Sequence, residues 1–482
     1  MKNKIICLAV AAALFASLFA FAGCGSEKKT RNTYDISASY ADGTLAASME
    51  FTYVNQTGEA LSFLEFNLFG NAYREDSAYA PVSAAFEKSA YYAGESYGGM
   101  EISSVSPCAS WSVCGADENI LRVELENGLA AGERVTLQIG WALSLAEVSH
   151  RTGIAPRSVN LGNFYPVVCV FEEGSFYECE YYSDGDPFYS ECADYTVTFR
   201  ADKKYTVASS GKILSAREDG QDKVYEMSLE NARDFAIVLG EEYSLAQGEA
   251  CGAQIMYYYY DDAAPEEKLA LIEKSISFFS EKFGDYAYPT YSVVQTGFSI
   301  GGMEYPALTM IGDHLAGADY RYTIVHETAH QWWYAAVGSN QLENAWMDEG
   351  LTEYSAALFY RENPDPELPY ESIVDAAYGA YKALYTVYSQ IFGEADTTMN
   401  RKLGEYLSEY QYVCIAYDKG LILFDTLQKE TGEKKFFAAL KGYYADRAGK
   451  IARPEHLKSA FKKAGANVAG IIDSFVDGKA VI

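Results

Sequence analysis

Residues 326–330 of this chain read His-Glu-Thr-Ala-His, and these residue types at this spacing could perform metal chemistry. In a helix, residues four apart lie on one face, about 5–6 Å apart at Cβ. His326 and His330 could therefore bind one zinc ion, with Glu327 beside the metal rather than on it. A metal that polarises a carbonyl and a base that deprotonates water are the parts of a zinc hydrolase. The alternative is a surface helix that carries two histidines by chance.

A zinc site of this kind needs a third protein ligand, with water in the fourth position. Glu349 follows His330 after 18 intervening residues. Asp348 is a good helix N-cap, and a second helix that runs antiparallel to the first could bring Glu349 beside the histidines. Glu353, one turn later, shares that face and could hold the second nitrogen of a ligand histidine. A solvated helix acid is the alternative for Glu353.

The elements that position these residues divide the chain into two halves. Between Tyr34 and Leu239, short alternating segments are separated by Gly, Asn or Asp turns, which predicts an all-β domain over residues 34–248. The helical period then dominates, which predicts a mostly helical domain over residues 249–482. Within it, we predict one helix over residues 320–337 and another over residues 348–361.

Composition excludes some classes of function. The chain has 67 acidic against 38 basic residues and a formal net charge of -29. Such a surface repels nucleic acid and anionic membranes, so we exclude nucleic-acid binding. The charge indicates either an acidic cleft for a cationic substrate end or simply solubility outside the cell.

The N-terminus has the features of a targeting segment. A short basic start precedes an uncharged apolar run over residues 5–22, which ends in Ala-Gly-Cys. This ending resembles the lipobox of bacterial lipoproteins, which implies a signal peptide over residues 1–23 and a lipid on Cys24. Residues 24–33 would be a tether that holds the body at the outer face of a bacterial membrane. An uncleaved membrane helix is the alternative.

Besides Cys7 and Cys24, seven cysteines remain, and none has the Cys-x-x-Cys spacing of a cysteine zinc site. Cys108 and Cys114 flank a short segment and could form a disulfide in an oxidising compartment. Scattered buried thiols are the alternative.

Several motifs together resemble the aminopeptidase-N-like gluzincins, peptidase family M-one. They are the histidine motif at residues 326–330 and Glu349, the run Gly-Gly-Met-Glu-Tyr at 301–305, and Ala-Tyr-Asp-Lys-Gly at 416–420. The second is similar to the family's Gly-Ala-Met-Glu-Asn, and the third to the segment that carries its catalytic tyrosine. The resemblance extends from about residue 34 to the C-terminus. It implies an α+β multidomain fold, with a saddle-like all-β domain before a thermolysin-like, mostly helical zinc peptidase domain.

The resemblance assigns roles to the residues of the motifs. It implies one Zn²⁺ per chain, bound by His326, His330 and Glu349. Glu327 would take a proton from water and pass it to the leaving amine. Tyr417 would stabilise the oxyanion of the tetrahedral intermediate. Tyr410 and Tyr412 are rivals for that role, since the chain has 41 tyrosines and only the sequence context favours Tyr417.

Residues 301–304 would form an edge strand that binds the substrate backbone. Gly301, Gly302 and Met303 would pair with the peptide by β-augmentation, and glycine there allows close approach. The resemblance implies that Glu304 recognises the substrate's free α-amino group. The alternative is an edge acid that merely resists aggregation. Tyr305 replaces the family's asparagine.

Two departures from the family affect specificity. The β domain usually adds an acidic or amide group to the amine site, but its segment 158–166 has no glutamate, so amine recognition would rest mainly on Glu304. Residues 454–476 resemble the closing helices of the catalytic domain, and no roof domain follows them. We therefore expect an open cleft.

The function that this sequence predicts is release of N-terminal residues from extracellular peptides. The alternatives are a zinc endopeptidase, an epoxide-hydrolase-like activity, which the family allows, and a non-catalytic surface binding lipoprotein. The intact set of metal and catalytic residues argues against the last of these.

Overall fold

The structure is a computed structural model that describes residues 31–480. The predicted signal peptide, Cys24 and most of the predicted tether lie outside the described residues. Within this described part, no helix combines the length and the apolar character that a membrane span requires.

The first half of the described chain consists mainly of β-sheets, as the alternating pattern predicts. In the first strand, for example, Tyr34, Ile36 and Ala38 are buried while the residues between them are more exposed. A seven-stranded sheet has the spatial order Lys212–Asp219, Asp222–Ala232, Ala193–Asp202, Asn32–Ala41, Thr44–Val54, Arg134–Ser144 and Gly99–Ser106. A four-stranded sheet has the order Val167–Val168, Leu61–Asn67, Ile120–Leu129 and Ser110–Cys114.

A second four-stranded sheet has the order Thr206–Ser209, Ile237–Gly240, Ser158–Leu161 and Thr152–Ile154. Phe171–Glu172 and Ser175–Phe176 form a small hairpin, and Glu87–Ala90 is a single helical turn.

The second half combines one sheet with most of the helices. The sheet has five strands in the order Ser244–Ala250, Ala253–Tyr259, Thr290–Thr296, Leu308–Gly312 and Gly302–Met303. The α-helices are Pro265–Phe283, Gly317–Ala329, Gln341–Asn344, Glu349–Glu362, Tyr370–Phe392, Glu409–Val413, Lys419–Thr431, Glu433–Arg447, Pro454–Lys463 and Ala469–Val476. A short parallel pair joins Val337–Gly338 to Lys450–Ile451. The predicted order, a β half followed by a helical half, is confirmed. The predicted domain boundary after residue 248 falls inside the first strand of this sheet.

The predicted single helix over residues 320–337 is wrong in its second part. The α-helix spans Gly317–Ala329, and helical geometry is lost at Trp333 and Tyr334. All residues from 331 to 336 are buried, so the sequence carries no alternation that would mark the break. Tertiary packing sets the position of the break, because the Trp333 indole donates a hydrogen bond to Ser355 Oγ at 3.0 Å.

The two halves are joined by the buried side chain of Arg233. It lies in the first half, is 2% exposed, and donates to the backbone oxygen of Ser190 at 2.9 Å. It also donates to the carbonyls of Ala335 and Ala336 at 3.3 Å and of Lys450 at 3.4 Å in the second half. One guanidinium therefore bonds to backbone on both sides of the junction.

The disulfide considered for Cys108 and Cys114 does not form. Ser110–Cys114 is an extended strand, which separates its ends by about 13 Å. Cys108 precedes this strand and Cys114 ends it, and both are free thiols. All seven cysteines of the described chain are free thiols.

Candidate active site

Two histidines meet at the end of the helix Gly317–Ala329, which we call the histidine helix. His326 and His330 are 8% and 1% exposed, and their Nε2 atoms lie 3.1 Å apart. The helical spacing of four residues therefore brings the two imidazoles to one point, as the sequence predicts.

Glu349 reaches that point from the helix Glu349–Glu362, which we call the glutamate helix. Asp348 precedes it, and its Oδ1 accepts a hydrogen bond from the Glu349 amide at 3.0 Å, which caps the helix. Glu349 Oε2 lies 3.2 Å from His330 Nε2 and 3.5 Å from His326 Nε2. The three ligand atoms are all within 4.8 Å of one another.

The other nitrogen of each histidine has its own partner. Glu353 Oε2 lies 2.8 Å from His326 Nδ1, and the Tyr322 hydroxyl donates to Glu353 Oε1 at 2.6 Å. His330 Nδ1 lies 3.2 Å from the carbonyl oxygen of Trp333, close to the break in the histidine helix. Both rings can thus donate through Nδ1 to an oxygen, which leaves the Nε2 lone pairs directed at each other.

These contacts test whether the residues fit a metal ion. Two imidazole nitrogens and one carboxylate oxygen, all from buried residues, converge within 4.8 Å of one another. Burial disfavours a charged His326, but hydrogen bonds to Glu349 and Glu353 outweigh it and raise the pKa of His326 to about 10. The site therefore stabilises a cation. Two nitrogens and one carboxylate are a ligand set of catalytic zinc, so the residues fit Zn²⁺.

Glu327 lies beside this ligand set and is 5% exposed. Burial raises the pKa of Glu327 to about 8. Gly302 leaves room for it, since a Cβ at that position would lie only 2.6 Å from Glu327 Cγ and Cδ. The close approach of strand and helix thus requires glycine at residue 302.

Gly302–Met303 is the outermost strand of the five-stranded sheet and pairs antiparallel with Leu308–Gly312. A peptide can add to such an edge by main-chain hydrogen bonds. Glu304 follows directly and is 3% exposed. Gly301 precedes the strand, and a Cβ there would meet nothing closer than 3.9 Å, from Thr323. The structure therefore places residues 301–304 along one side of the metal ligands.

Asp186 is a residue of this site that the sequence did not reveal. Carboxylate oxygens of Asp186, Glu304 and Glu349 all lie within 4.8 Å of one another. Asp186 also accepts from buried Arg151, with Nη2 to Oδ1 at 3.0 Å. It comes from the irregular segment 177–192 of the β half. The sequence instead indicated residues 158–166 as the segment nearest to the amine site. Nothing in its local sequence distinguishes it from other loop acids.

Tyr305 faces the β half and is fully buried. Its hydroxyl donates to Asn163 Oδ1 at 3.1 Å, and Asn163 Nδ2 donates to Asp234 Oδ2 at 2.7 Å. A Cβ on Gly162 would lie 2.5 Å from Tyr305 Cζ and still closer to the hydroxyl. Tyr305 therefore anchors the edge strand to the β half, and residues 158–166 serve this anchor.

Tyr417 lies beside the metal ligand His326. Its ring stacks on His326 with centroids 6.0 Å apart and an interplanar angle of 9°. Burial raises the pKa of Tyr417 well above its ordinary value, so its hydroxyl keeps its proton and can donate a hydrogen bond. Tyr412 packs edge-on against Tyr417 at 5.7 Å, whereas Tyr410 is 52% exposed.

Part of the chain matches a known family of peptidases. Residues 267–475 match the model of the peptidase family M1 domain. The chain is 27% identical over 184 residues to leukotriene A-4 hydrolase of Xenopus laevis, covering 36% of this chain and 29% of that protein. It is 33% identical over 88 residues to the mouse aminopeptidase RNPEPL1, covering 17% and 12%. The chain thus aligns with less than a third of each of these curated relatives.

Solved structures agree with the fold over most of the chain. The M1 zinc metallopeptidase of Deinococcus radiodurans has a TM-score of 0.64 at 17% identity, and the match covers 94% of this chain and 96% of that one. A mutant of that protein was crystallised with a Tyr-Ser-Ala substrate, with a TM-score of 0.64 at 15% identity, covering 94% and 95%. Residues 267–475 are thus similar to the peptidase family M1 domain, and the two-domain fold is shared with a solved M1 zinc metallopeptidase.

Proposed function

We propose that this chain is a zinc-dependent aminopeptidase that removes residues from peptides with a free N-terminus. The observation that supports it most is the position of Glu304 and Asp186, whose carboxylates lie within 4.8 Å of the metal ligand Glu349. The α-amino nitrogen is two bonds from the carbonyl carbon of its own residue. An ammonium held by these acids therefore presents the first peptide bond of the chain to the metal ligands.

His326, His330 and Glu349 would hold the zinc ion. When bound, zinc acidifies a water molecule and polarises the scissile carbonyl. Glu327 accepts a proton from the attacking water and delivers it to the leaving amine. The Tyr417 hydroxyl donates a hydrogen bond to the oxyanion, which stabilises the charge that develops there. The edge strand at residues 302–303 aligns the peptide backbone.

The role of Glu327 is tested with aminoacyl fluorogenic amides. We expect Glu327→Gln to lower kcat by at least about 100-fold, because the amide cannot accept the proton. Zinc content, measured by elemental analysis, should stay at one per chain. A chelator should abolish wild-type turnover. Full turnover by Glu327→Gln would refute the mechanism.

The role of Glu304 is tested with paired free-amine and N-acetylated peptides. Glu304→Ala should mainly raise KM for the free-amine peptide, because an ammonium loses its carboxylate partner. If the wild type cleaves acetylated and free peptides equally well, the chain is an endopeptidase instead.

We further propose that the protein is anchored outside the cell by a lipid on Cys24, where it would meet extracellular peptides. The support is the sequence of residues 1–24, with its basic start, apolar run and small residues before the cysteine. Cys24→Ala should abolish labelling by a radioactive fatty acid, while Cys251→Ala, a change at an exposed thiol, is the control. Equal labelling of both variants would exclude the anchor.

A further inference from the structure

Gln341 lies directly behind the carboxylate that would receive the substrate's amine. Its side chain is 2% exposed and belongs to the helical turn Gln341–Asn344. Its Nε2 atom lies 2.7 Å from Asp348 Oδ2 and 3.3 Å from Glu304 Oε1. One amide nitrogen thus bridges the edge strand and the cap of the glutamate helix.

The orientation of this amide follows from its neighbours. An amide nitrogen has two hydrogens, and here each faces a carboxylate. The reversed amide would place its carbonyl oxygen against both carboxylates, which is repulsive. Gln341 Oε1 has no hydrogen-bond donor among residues 31–480. The side chain is therefore oriented by the two carboxylates alone.

The three acids around the amine position differ in what holds them. Asp186 pairs with Arg151 at 3.0 Å, and Glu349 faces the two histidines. Glu304 forms no ion pair with any cation among residues 31–480 and is not one of the three zinc ligands, and the amide of Gln341 is a side-chain hydrogen-bond donor to it. A carboxylate surrounded by other carboxylates turns away from them unless a donor fixes it.

We propose that Gln341 is a positioning residue of the amine site. It holds the Glu304 carboxylate in the orientation that receives the free α-ammonium, and so sets how strongly the enzyme prefers an unblocked N-terminus. Glutamine does this without adding a charge. A lysine at this position would add an ammonium that competes with the substrate's ammonium for Glu304. The inference rests on the proposed aminopeptidase function.

The test compares two ligands that differ only in the amine. An amino-acid hydroxamate and its desamino counterpart both bind zinc, so the Kd of the desamino ligand divided by the Kd of the amino-acid ligand reports the amine contact. Calorimetry on zinc-loaded Gln341→Met should show this ratio falling by at least about tenfold from the wild type, since a hydrogen bond to a charged group is lost. In turnover, KM for free-amine substrates should rise more than kcat falls.

Gln428→Met is the matched control. Gln428 is also a buried glutamine of the second half, 8% exposed, with an amide nitrogen that lacks a partner. It accepts from Tyr354 and Arg361, neither of which we place in the site. The ratio of the two Kd values for Gln428→Met should equal that of the wild type. Gln341→Asn, whose shorter side chain withdraws the amide from Glu304, should also lower the ratio and replaces Gln341→Met if that variant does not fold.

The outcomes separate the two proposals. A wild-type ratio in folded, zinc-loaded Gln341→Met or Gln341→Asn overturns the positioning role, and so does an equal loss of affinity for both hydroxamates, which indicates a structural role. If the wild type itself binds both ligands equally and shows no zinc-dependent turnover, the aminopeptidase function fails instead.

Discussion

At the scale of single residues, the site depends on close packing as much as on reactive groups. Gly302 shows this, because the space that its missing side chain leaves is occupied by Glu327. The edge strand can therefore lie against the histidine helix, with the backbone that we propose binds peptide beside the proposed base. The absence of a side chain at residue 302 thus also sets the position of the Glu327 carboxylate.

We predict that Gly302→Ala lowers kcat by at least about 100-fold while zinc remains bound. The new Cβ would lie 2.6 Å from Glu327 Cγ and Cδ, so either the strand or the base must move, and displacement of about 1 Å costs about that much. Steady-state kinetics and zinc analysis measure the effect. Gly379→Ala is the control, since nothing lies within 4 Å of a Cβ there. Unchanged kcat in Gly302→Ala would show that Glu327 does not need this space.

The local sequence could predict the residues whose partners are near in the chain. His326 and His330 are one helical turn apart, and Glu349 begins the next long helix, so spacing alone brings them into one hypothesis. Asp186 could not be found in this way, because it reaches the site from a loop of the other half. Its role depends on how the halves dock, and that information is spread over the whole chain.

At the scale of elements, the edge strand is held from behind by a buried polar network. Tyr305 contacts Asn163, and Asn163 contacts Asp234, which also accepts from the Phe235 amide at 2.7 Å and from Tyr165 at 3.1 Å. Burial raises the pKa of Asp234 to about 7 from its ordinary 3.8, although these donors oppose the shift. The edge strand thus rests on a carboxyl group whose pKa burial raises to about 7.

We predict a pH-dependent stability that Asp234→Asn removes. Between pH 3.8 and 7 the folded chain keeps a proton that the unfolded chain has lost, so the free energy of unfolding falls as pH rises through this range. From pH 5.5 to pH 8 the wild type should lose about 2 kcal/mol relative to Asp234→Asn. Urea unfolding at both pH values measures this, with the exposed Asp375→Asn as a control for losing one acid. A difference that stays constant with pH would contradict the buried titration.

The spacing of buried residues along the chain explains why some elements were predicted correctly and one was not. Strands such as Asn32–Ala41 bury every second side chain, so their alternation is visible in the sequence. The residues after the histidine helix are all buried, and an apolar run without alternation does not show where a helix ends. The break is set by tertiary packing of Trp333, which a local pattern cannot contain.

At the scale of the whole molecule, the site exists only when both halves are docked. The zinc ligands and Glu327 belong to the second half, whereas Asp186 and Arg151 belong to the first. Arg233 joins the halves through the carbonyls of Ala335 and Ala336, at the end of the segment 331–336 that follows the histidine helix. Its importance could not be predicted, since the sequence around it has no recognisable pattern.

We predict that Arg233→Met lowers the free energy of unfolding by at least about 3 kcal/mol, because it removes the hydrogen bonds of a buried guanidinium to four backbone carbonyls. Urea denaturation followed by tryptophan fluorescence measures the change. Arg217→Met, on an exposed strand face, should change stability by less than about 0.5 kcal/mol. If both variants unfold at the same urea concentration, the junction does not depend on this guanidinium.

The contact between Tyr305 and Gly162 has a consequence for how sequences of relatives are compared. The tyrosine ring fits only because residue 162 has no side chain. The two positions should therefore change together in evolution, although they lie in different halves of the chain. Relatives with tyrosine after the glutamate of this motif should keep glycine at the distant position. In relatives with the shorter asparagine, other residues can occupy the position of Gly162. The residues at these two positions can therefore divide the family members into two groups.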